Sequence, residues 1–467
     1  MTTAQEQEQL SQFERQLRQA EGEGDLEASP PLSLTERALI QYGALLRFSF
    51  LAIDDVDQET HILRRSEARL FGRINVDDAH EFFGRLSYDY YDFNSGDDFD
   101  GRGDRNVDPL ADRWWYRFDL RNAVAATEGR RIDWNWQLQA GRQYVDWASG
   151  LVLSDELYAA RSTLEIAPFE LEGLAALTPS STFLDFDASR PDFDRDTERA
   201  FFGGKLTFTG FGNHRPYVYA LHQEDMNGNE SANLGPFNAF PTRFDYDSTY
   251  IGVGSTGLLL PRLQYGAEFI YQFGDGLSSS MDPDTLNPTP QTREDIEAWA
   301  VDARLSYLFR DANRSQIDFQ TIVASGDDDR LLDTSNTFGG NAPGTDDNAF
   351  NAFGLAKTGF AFAAPISNII VNRLGASAFP FPSERGLRNV RVGADLYLFN
   401  KPDADAPLDE RTSDDHYLGT EADVFVDWRV TSDVSWNFRY GVFVPGRAIE
   451  ADNDPRHFLY TGITYAF

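Results

Sequence analysis

Charged side chains alternate with apolar ones early in the chain. One parity carries Arg65, Glu67, Arg69 and Arg73, and the opposite parity carries Ile62, Ala68, Leu70 and Ile74. A guanidinium keeps its charge and binds carboxylates through paired hydrogen bonds. A row of guanidiniums facing water attracts anions, and neighbouring acids orient the guanidiniums and limit how tightly an anion is held. The pattern therefore indicates reversible anion binding.

The same parity rule, applied to the whole chain, yields one predicted set of inward-facing charges. Its basic members are Arg47, Arg65, Arg69, Arg73, Arg85, Arg117, Arg121, Arg161, Lys205, Arg304, Arg391, Arg429 and Arg439. Its acidic members are Glu67, Asp89, Asp119, Glu165, Asp302, Asp395, Glu421 and Asp423. Arg142 falls on the apolar parity with Trp134 and Trp136, and we expect a bulge at Gly141 to redirect it inward.

Other chemistries find less support. The histidines are scattered along the chain, and none has a nucleophile in an activating context: His61, His80, His214, His222, His416 and His457. We predict no enzymatic activity, with an outer-membrane lipase or protease as the competing class. Cysteine is absent, which excludes disulfides and thiolate metal sites. The net charge of −34 argues against a nucleic-acid partner. No cofactor is predicted.

Acidic clusters are concentrated between the alternating segments, at residues 96–104, 185–196 and 325–330. One interpretation is loop-bound calcium, since clustered carboxylates suit a hard cation. The run of Asp98, Asp100, Gly101 and Asp104 echoes a calcium loop only loosely and lacks its closing glutamate. The alternative, a solvated loop surface, is favoured.

Period-2 alternation predicts eighteen strands. They are residues 39–52, 60–75, 79–92, 112–125, 131–145, 156–167, 169–178, 198–211, 215–224, 246–256, 261–274, 294–309, 315–325, 365–379, 387–400, 416–430, 433–445 and 456–467. Many have the length of a strand tilted across a bilayer. The sequence contains no stretch of about 18 consecutive apolar residues, so no transmembrane helix is predicted.

The connections between these strands alternate between short and long. Outer-membrane barrels have short periplasmic turns and long external loops, whereas a soluble sandwich has no reason to keep this alternation. We therefore predict an all-β fold, a closed antiparallel transmembrane β-barrel. A charge facing lipid at the bilayer centre costs about 2–4 kcal/mol, so the charged parity must face a water-filled lumen.

The beginning of the chain differs from the rest. Residues 4–20 predict a short polar helix, so we expect an N-terminal polar segment (1–37) followed by the barrel (38–467). Met1–Gln9 shows no apolar leader segment, and we expect that a signal peptide has been removed from an outer-membrane protein. The segment is a candidate plug or contact for a periplasmic partner.

Several stretches resemble the alginate-export family of outer-membrane porins. They are GRQYVDWASGLVL (141–153), YAARSTLE (158–165), ASGDDD (324–329), NTF (336–338), LGTEADVFVDWRVTSDVSWNFRYGVFVPG (418–446) and the terminal YTGITYAF. The similarity covers residues 38–467. It implies a monomeric barrel of 18 strands, embedded in lipid and lipopolysaccharide, that secretes an anionic exopolysaccharide. Its lumen would be narrow and lined by arginine, lysine and interspersed carboxylates.

The first functional hypothesis is an anion-selective channel that exports an acidic polysaccharide such as alginate. The second is a diffusion or uptake porin for small anionic solutes, which the sequence does not separate from the first. Under either hypothesis the long loop 326–364 could fold inward as a constriction. A soluble carbohydrate-binding β protein is a further alternative.

Overall fold

The computed structural model describes residues 37–98, 102–180, 185–191, 193, 196–227, 230–450 and 454–467. Eighteen antiparallel strands form one sheet, in which each strand pairs with its neighbours along the chain. The first strand pairs with both the second and the last, for example Arg47 with Glu67 and with Thr464, so the sheet is closed. The predicted closed barrel of 18 strands is confirmed. The predicted helix 4–20 lies outside the described residues.

The barrel consists of two runs of strands separated by a small hairpin in an external loop. The first run is β1 (Ala38–Asp54), β2 (Thr60–Val76), β3 (His80–Phe93), β4 (Arg105–Asp119), β5 (Trp134–Asp146), β6 (Ser154–Ile166), β7 (Phe169–Leu177), β8 (Arg199–Phe208) and β9 (His214–Asp225). The hairpin is β10 (Ser231–Leu234) and β11 (Phe240–Arg243). The second run is β12 (Tyr246–Leu260), β13 (Leu263–Leu277), β14 (Arg293–Leu308), β15 (Gln316–Ala324), β16 (Ile369–Ala378), β17 (Val390–Asn400), β18 (Tyr417–Arg429), β19 (Val434–Pro445) and β20 (Arg456–Ala466).

The two rims of the barrel differ in the length of their connections. One rim carries the start of β1, the end of β20 and mostly short turns; we call it the turn rim. The other carries mostly long connections; we call it the loop rim. The longest connection, residues 325–368, joins β15 to β16 at the loop rim.

One predicted strand is partly wrong. We expected a strand over 112–125, but β4 ends at Asp119 and Leu120–Glu128 forms the helix α1 at the turn rim. Asp119 caps this helix by accepting a hydrogen bond from Asn122 N at 2.9 Å. Gly129 follows it in the left-handed conformation (φ 66°) that commonly ends helices. These capping signals and the alanines of 123–126 outweigh the apparent alternation.

The outer face of the barrel carries large apolar side chains at every second position. Examples are Leu46, Phe48, Leu70 and Ile463, each more than half exposed. Such a surface is unfavourable in water and matches the hydrocarbon of a bilayer. Among the described residues, no helix is both long and apolar enough to cross a membrane.

The inner face is divided along the barrel axis. In the half nearer the turn rim, inward positions carry charged side chains; we call it the ionic half. In the half nearer the loop rim, most inward positions are apolar or uncharged, for example Phe201, Tyr250, Ile322 and Phe443, and Arg199 is a buried exception. We call it the apolar half. The expectation of a polar interior therefore holds for only one half, because the apolar half is covered by loops that fold into the barrel.

Candidate functional site

On the β1–β8 side of the ionic half, several carboxylates each hold two cations. Glu67 lies between Arg47, 3.4 Å away, and Arg69, to which it is also ion-paired. The neighbouring pair Arg65–Asp89 is 2.6 Å apart. The group of Arg47, Glu67 and Arg69 has a formal charge of +2 − 1 = +1.

Two further triads follow the same rule nearer the turn rim. Glu81 of β3 pairs with Arg73 at 2.5 Å and with Arg117 at 2.9 Å. Glu172 of β7 pairs with Arg161 at 2.5 Å and Lys205 at 2.7 Å. Each triad again has a formal charge of +2 − 1 = +1. The wall of β1–β8 thus presents an excess of positive charge although acids are interspersed.

Access to water separates these cations into two groups. The side chains of Arg65, Arg69 and Arg85 are at most 9% exposed. Those of Arg117 and Arg161 are 36% and 30% exposed. A solute entering from the turn rim would therefore reach Arg117 and Arg161. The buried guanidiniums would act on it only through their electrostatic potential.

A buried ionic cluster fills a seam between β4 and β5. These strands pair only from Trp114↔Arg142 to Asp119↔Gln137, so the loop-rim part of β5 has no ladder with β4. Arg85 binds Asp112 at 2.6 Å, and Glu156 of β6 is ion-paired to Arg113 and lies 3.8 Å from Arg85. Carboxylates thereby separate Arg85 and Arg113, which face each other in the β3–β4 register.

Arg142 enters this cluster without the predicted bulge. The register runs through Gly141 unshifted in both of its ladders, so the bulge prediction is wrong. Arg142 is 1% exposed and lies 3.8 Å from Glu156, with its guanidinium over the Tyr158 ring at 5.7 Å. Its charge is compensated within the wall rather than in the lumen.

The opposite wall, β12–β20, pairs its cations mainly one to one. Arg304 is ion-paired to Asp302, Arg373 lies 2.7 Å from Asp395, and Arg439 is ion-paired to Asp427. Arg391 differs, since it donates to Ser377 Oγ at 3.1 Å and lies over the Phe425 ring at 5.2 Å. Within the described chain, Arg391 makes no ion pair.

The remaining predicted residues lie at the edges of the ionic half. Arg121 is on α1, not on a strand, and pairs with Glu165 at 3.1 Å across the turn rim. Asp119 accepts hydrogen bonds from Asn135 and Gln137 in addition to capping α1. Arg429 is exposed and donates to Ser432 O at 3.2 Å. Glu421 and Asp423 lie together at the boundary with the apolar half.

The loop 325–368, which we call the inner loop, folds into the barrel and contacts its walls on several sides. Asn351 accepts from Tyr250 Oη at 2.6 Å and donates its N–H to Gln272 Oε1 at 3.0 Å. Phe353 packs against Phe201 of β8, 5.2 Å between ring centroids. The shorter loop 147–153 also folds inward, and Phe353 N–H donates to its Val152 carbonyl at 2.9 Å. Together the loops bury the apolar half.

The part of the inner loop that faces the ionic half is residues 354–366, here called the floor segment. It covers one end of a cavity of about 440 Å³ that Lys357, Arg373, Arg391, Arg439 and Tyr460 line. Lys357 is exposed and, among the described residues, makes no ion pair. A second cavity, of about 310 Å³, lies beside Glu268 and Arg304 on the β12–β14 side.

The acidic loops are only partly solvated. Asp185 and Asp187 are buried, and Asp185 binds Arg199 at 2.6 Å, so the solvated-surface interpretation is wrong for them. Asp327 is also buried, while Asp328 and Asp329 are exposed; these three carboxylates lie within 4.8 Å of one another. Burial, reinforced by repulsion from Asp347, raises the pKa of Asp327 to about 7. Asp100 and Gly101 of the calcium-like run lie outside the described residues.

Several charged residues of the ionic half escaped the sequence analysis. Glu81 shares the parity of Arg85 and Asp89 on β3, and Glu172 has the parity opposite to Phe169 and Leu171 on β7, so the signal was present for both. Arg113 shares the parity of Arg117 and Asp119, so it too could have been assigned. Asp112 could not, because a register shift in the β3–β4 ladder next to it interrupts the alternation. Lys357 lies on the inner loop, where strand parity has no meaning.

The model of the alginate export family matches residues 159–458 of the chain. No curated protein matches it. The barrel is similar to solved structures from Pseudomonas aeruginosa: OpdK with vanillate (TM-score 0.52, 10% identity, 92% of this chain and 99% of that chain covered) and OccK11, also called OpdR (0.51, 9%, 92% and 96%). At these identities the likeness concerns the fold alone.

The family and the fold are those of channels, not of enzymes. The match covers more than half of the chain, and the closed barrel with an apolar outer face is consistent with it. The chain therefore belongs to the alginate export family and is an outer-membrane β-barrel porin.

Proposed function

We propose that the protein is an anion-selective channel that exports an acidic exopolysaccharide such as alginate. The observation that carries the proposal is the set of triads in which one carboxylate holds two cations, as Glu81 does with Arg73 and Arg117. Each triad keeps a positive charge, and the carboxylate fixes both cations in place. A polyuronate could exchange its carboxylates between successive triads without being held strongly at any one.

The accessible cations lie where such a polymer would enter from the turn rim. Arg117 and Arg161 reach water from β4 and β6, and Arg121 reaches it from α1. Guanidinium binds carboxylate through paired donors and stays charged at every relevant pH. The buried residues Arg65, Arg69 and Arg85 contribute to the positive potential without direct contact.

A second candidate is passage of small anionic solutes. The inner loop favours it, because with the floor segment in place the lumen contains cavities of about 440 and 310 Å³. Volumes of this size suit a small acid. Export of a polymer requires the inner loop to move, whereas a small solute needs a smaller opening.

The test is ion selectivity in planar bilayers. The reversal potential of the wild-type protein should have the sign expected for an anion-selective pore. Uronate oligomers should reduce the current through the wild-type pore. The combined substitutions R73Q, R117Q and R161Q should shift the reversal potential toward neutrality and weaken the block. Cation selectivity of the wild-type protein would overturn the proposal.

A matched control removes the same charge outside the lumen. R130Q, R310Q and R388Q change three exposed arginines in or beside turns at the turn rim. These substitutions should leave the reversal potential close to that of the wild type. If neutral oligosaccharides block the current as strongly as uronate oligomers do, a pore for neutral solutes is favoured instead.

A further inference from the structure

The floor segment presents three consecutive backbone N–H groups to a single carboxylate. Glu421 Oε1 accepts from Phe360 N at 2.5 Å and Ala361 N at 2.7 Å, and Glu421 Oε2 accepts from Phe362 N at 2.9 Å. Gly359 precedes them at φ +86°, and a Cβ there would collide with the Glu421 carboxylate. Successive N–H groups arranged around an anion form a concave anion site. Here the protein's own side chain occupies it.

A second buried carboxyl group lies beside Glu421. Asp423 Oδ1 and Glu421 Oε1 both lie over Gly441, 2.5 and 3.1 Å from the place of a Cβ. Asp423 is 1% exposed, and its carboxylate oxygens accept no hydrogen bond at good geometry within the described residues. Two carboxylates this close cannot both stay ionised at low cost where water is excluded. The floor-segment N–H groups therefore hold one carboxylate, that of Glu421, with a second buried carboxyl group beside it.

The N–H site adjoins the cavity of about 440 Å³, which Gly359 and Phe360 help to line. Lys357 and Arg391 line the same cavity and make no ion pair within the described chain. Phe360, Tyr397 and Tyr460 add apolar surface of the kind that packs against sugar rings. A sugar acid in this cavity would find cations and aromatic faces, and the Phe360 end of the N–H site lies at the cavity wall.

We propose that the backbone N–H groups of Phe360, Ala361 and Phe362 are a binding site for a uronate carboxylate, occupied by Glu421 when no solute is present. This inference rests on the proposed transport of uronates. Exchange of one carboxylate for another conserves the three hydrogen bonds, so the local concentration of solute decides the occupant. Occupation by solute separates the floor segment from β18. The remaining attachment is aromatic, with Phe362 stacked 4.3 Å from Phe443.

The experiment measures amide hydrogen exchange of residues 359–363 in the detergent-solubilised full chain. E421A removes the internal carboxylate, and exchange should become faster on the order of tenfold, since hydrogen bonds to charged groups are stronger than neutral ones. Adding mannuronate oligomers or acetate to E421A should restore slow exchange, whereas a neutral oligosaccharide should not. E421Q keeps the side-chain length and should give an intermediate rate.

E172A is the matched control, because it removes a buried carboxylate whose partners are the cations Arg161 and Lys205. Exchange at 359–363 should be unchanged in E172A. Unchanged exchange in both E421A and E421Q would overturn the site, as would equal protection by neutral sugar. The reversal potential of the wild type separates the two proposals. If only carboxylates slow the amide exchange and the channel is nevertheless cation-selective, the binding site is supported and the proposed transport of uronates is wrong.

Discussion

The two halves of the inner face are built from the same strands but maintained by different partners. In the ionic half, triads such as Arg161, Glu172 and Lys205 are satisfied by side chains of neighbouring strands. In the apolar half, residues such as Phe201 and Phe443 are buried by packing that includes the inner loop. The ionic half can therefore stay open to water, while the apolar half requires a cover. The barrel thus combines a charged lining in one half with an apolar lining that its own loop covers in the other.

The largest expected effect comes from removing the cover. Replacing residues 330–364 by a short Gly-Ser linker should raise single-channel conductance several-fold, because the loop crosses the lumen. It should also lower the melting temperature, because each large apolar side chain left exposed costs about 1.5–3 kcal/mol. Heat-dependent gel mobility reports the melting.

The control for this replacement shortens only the exposed tip, residues 282–287, of the external loop 278–292, because Ser279 of that loop hydrogen-bonds the inner loop and must be kept. Conductance should then stay near the wild-type value. If the 330–364 replacement leaves conductance unchanged, the inner loop does not limit the pathway, and the distinction between an open and a covered half fails.

A smaller effect should follow from one aromatic contact of the floor segment. Phe362 packs between Phe443 and Phe399, at 4.3 and 4.9 Å. F362A should weaken docking of the floor segment by about 3–5 kcal/mol, the usual cost of removing a buried phenyl ring. The measurements are amide exchange over 354–366 and the frequency of channel openings.

F273A serves for comparison, since Phe273 lies on the outer face and is 37% exposed. It should change neither the exchange of the floor segment nor the openings. Equal effects of the two substitutions would show that the barrel as a whole, not the covered half, responds to F362A.

The smallest expected effect is a pH dependence of the inner loop. The pKa of Asp327 is raised from 3.8 to about 7 by burial and by Asp347. A carboxyl whose folded pKa is raised favours the folded loop at low pH, and this contribution is lost as pH rises from about 4 through about 7. Exchange of residues 325–350 should thus be slower at pH 5 than at pH 8, after correction for intrinsic rates.

D327N should abolish that difference, and D328N, at an exposed neighbour, should keep it. A pH dependence that persists unchanged in D327N would assign the titration to another group.

The strand order and most strand bounds could be predicted, because alternation and connection length follow directly from the demands of a bilayer. The helix α1 was missed, since its residues also alternate in hydrophobicity over 112–125. Parity placed Arg65, Glu67 and Arg117 on the inner side, but it carries no information on which inward residues are covered by loops or by neighbouring side chains. The alternation pattern therefore does not predict whether an inward residue reaches water.

By itself, the sequence determined how many strands the barrel has, which side of the wall most strand residues face, and that charge lies inside. Only the tertiary structure decided which charges meet, as with Glu421 and the N–H of Phe362, 59 positions earlier. It also decided that one half of the interior is closed by the chain's own loop. The physical reason is that alternation is a local property of one strand, whereas ion pairs and coverage depend on distant segments that barrel closure brings together.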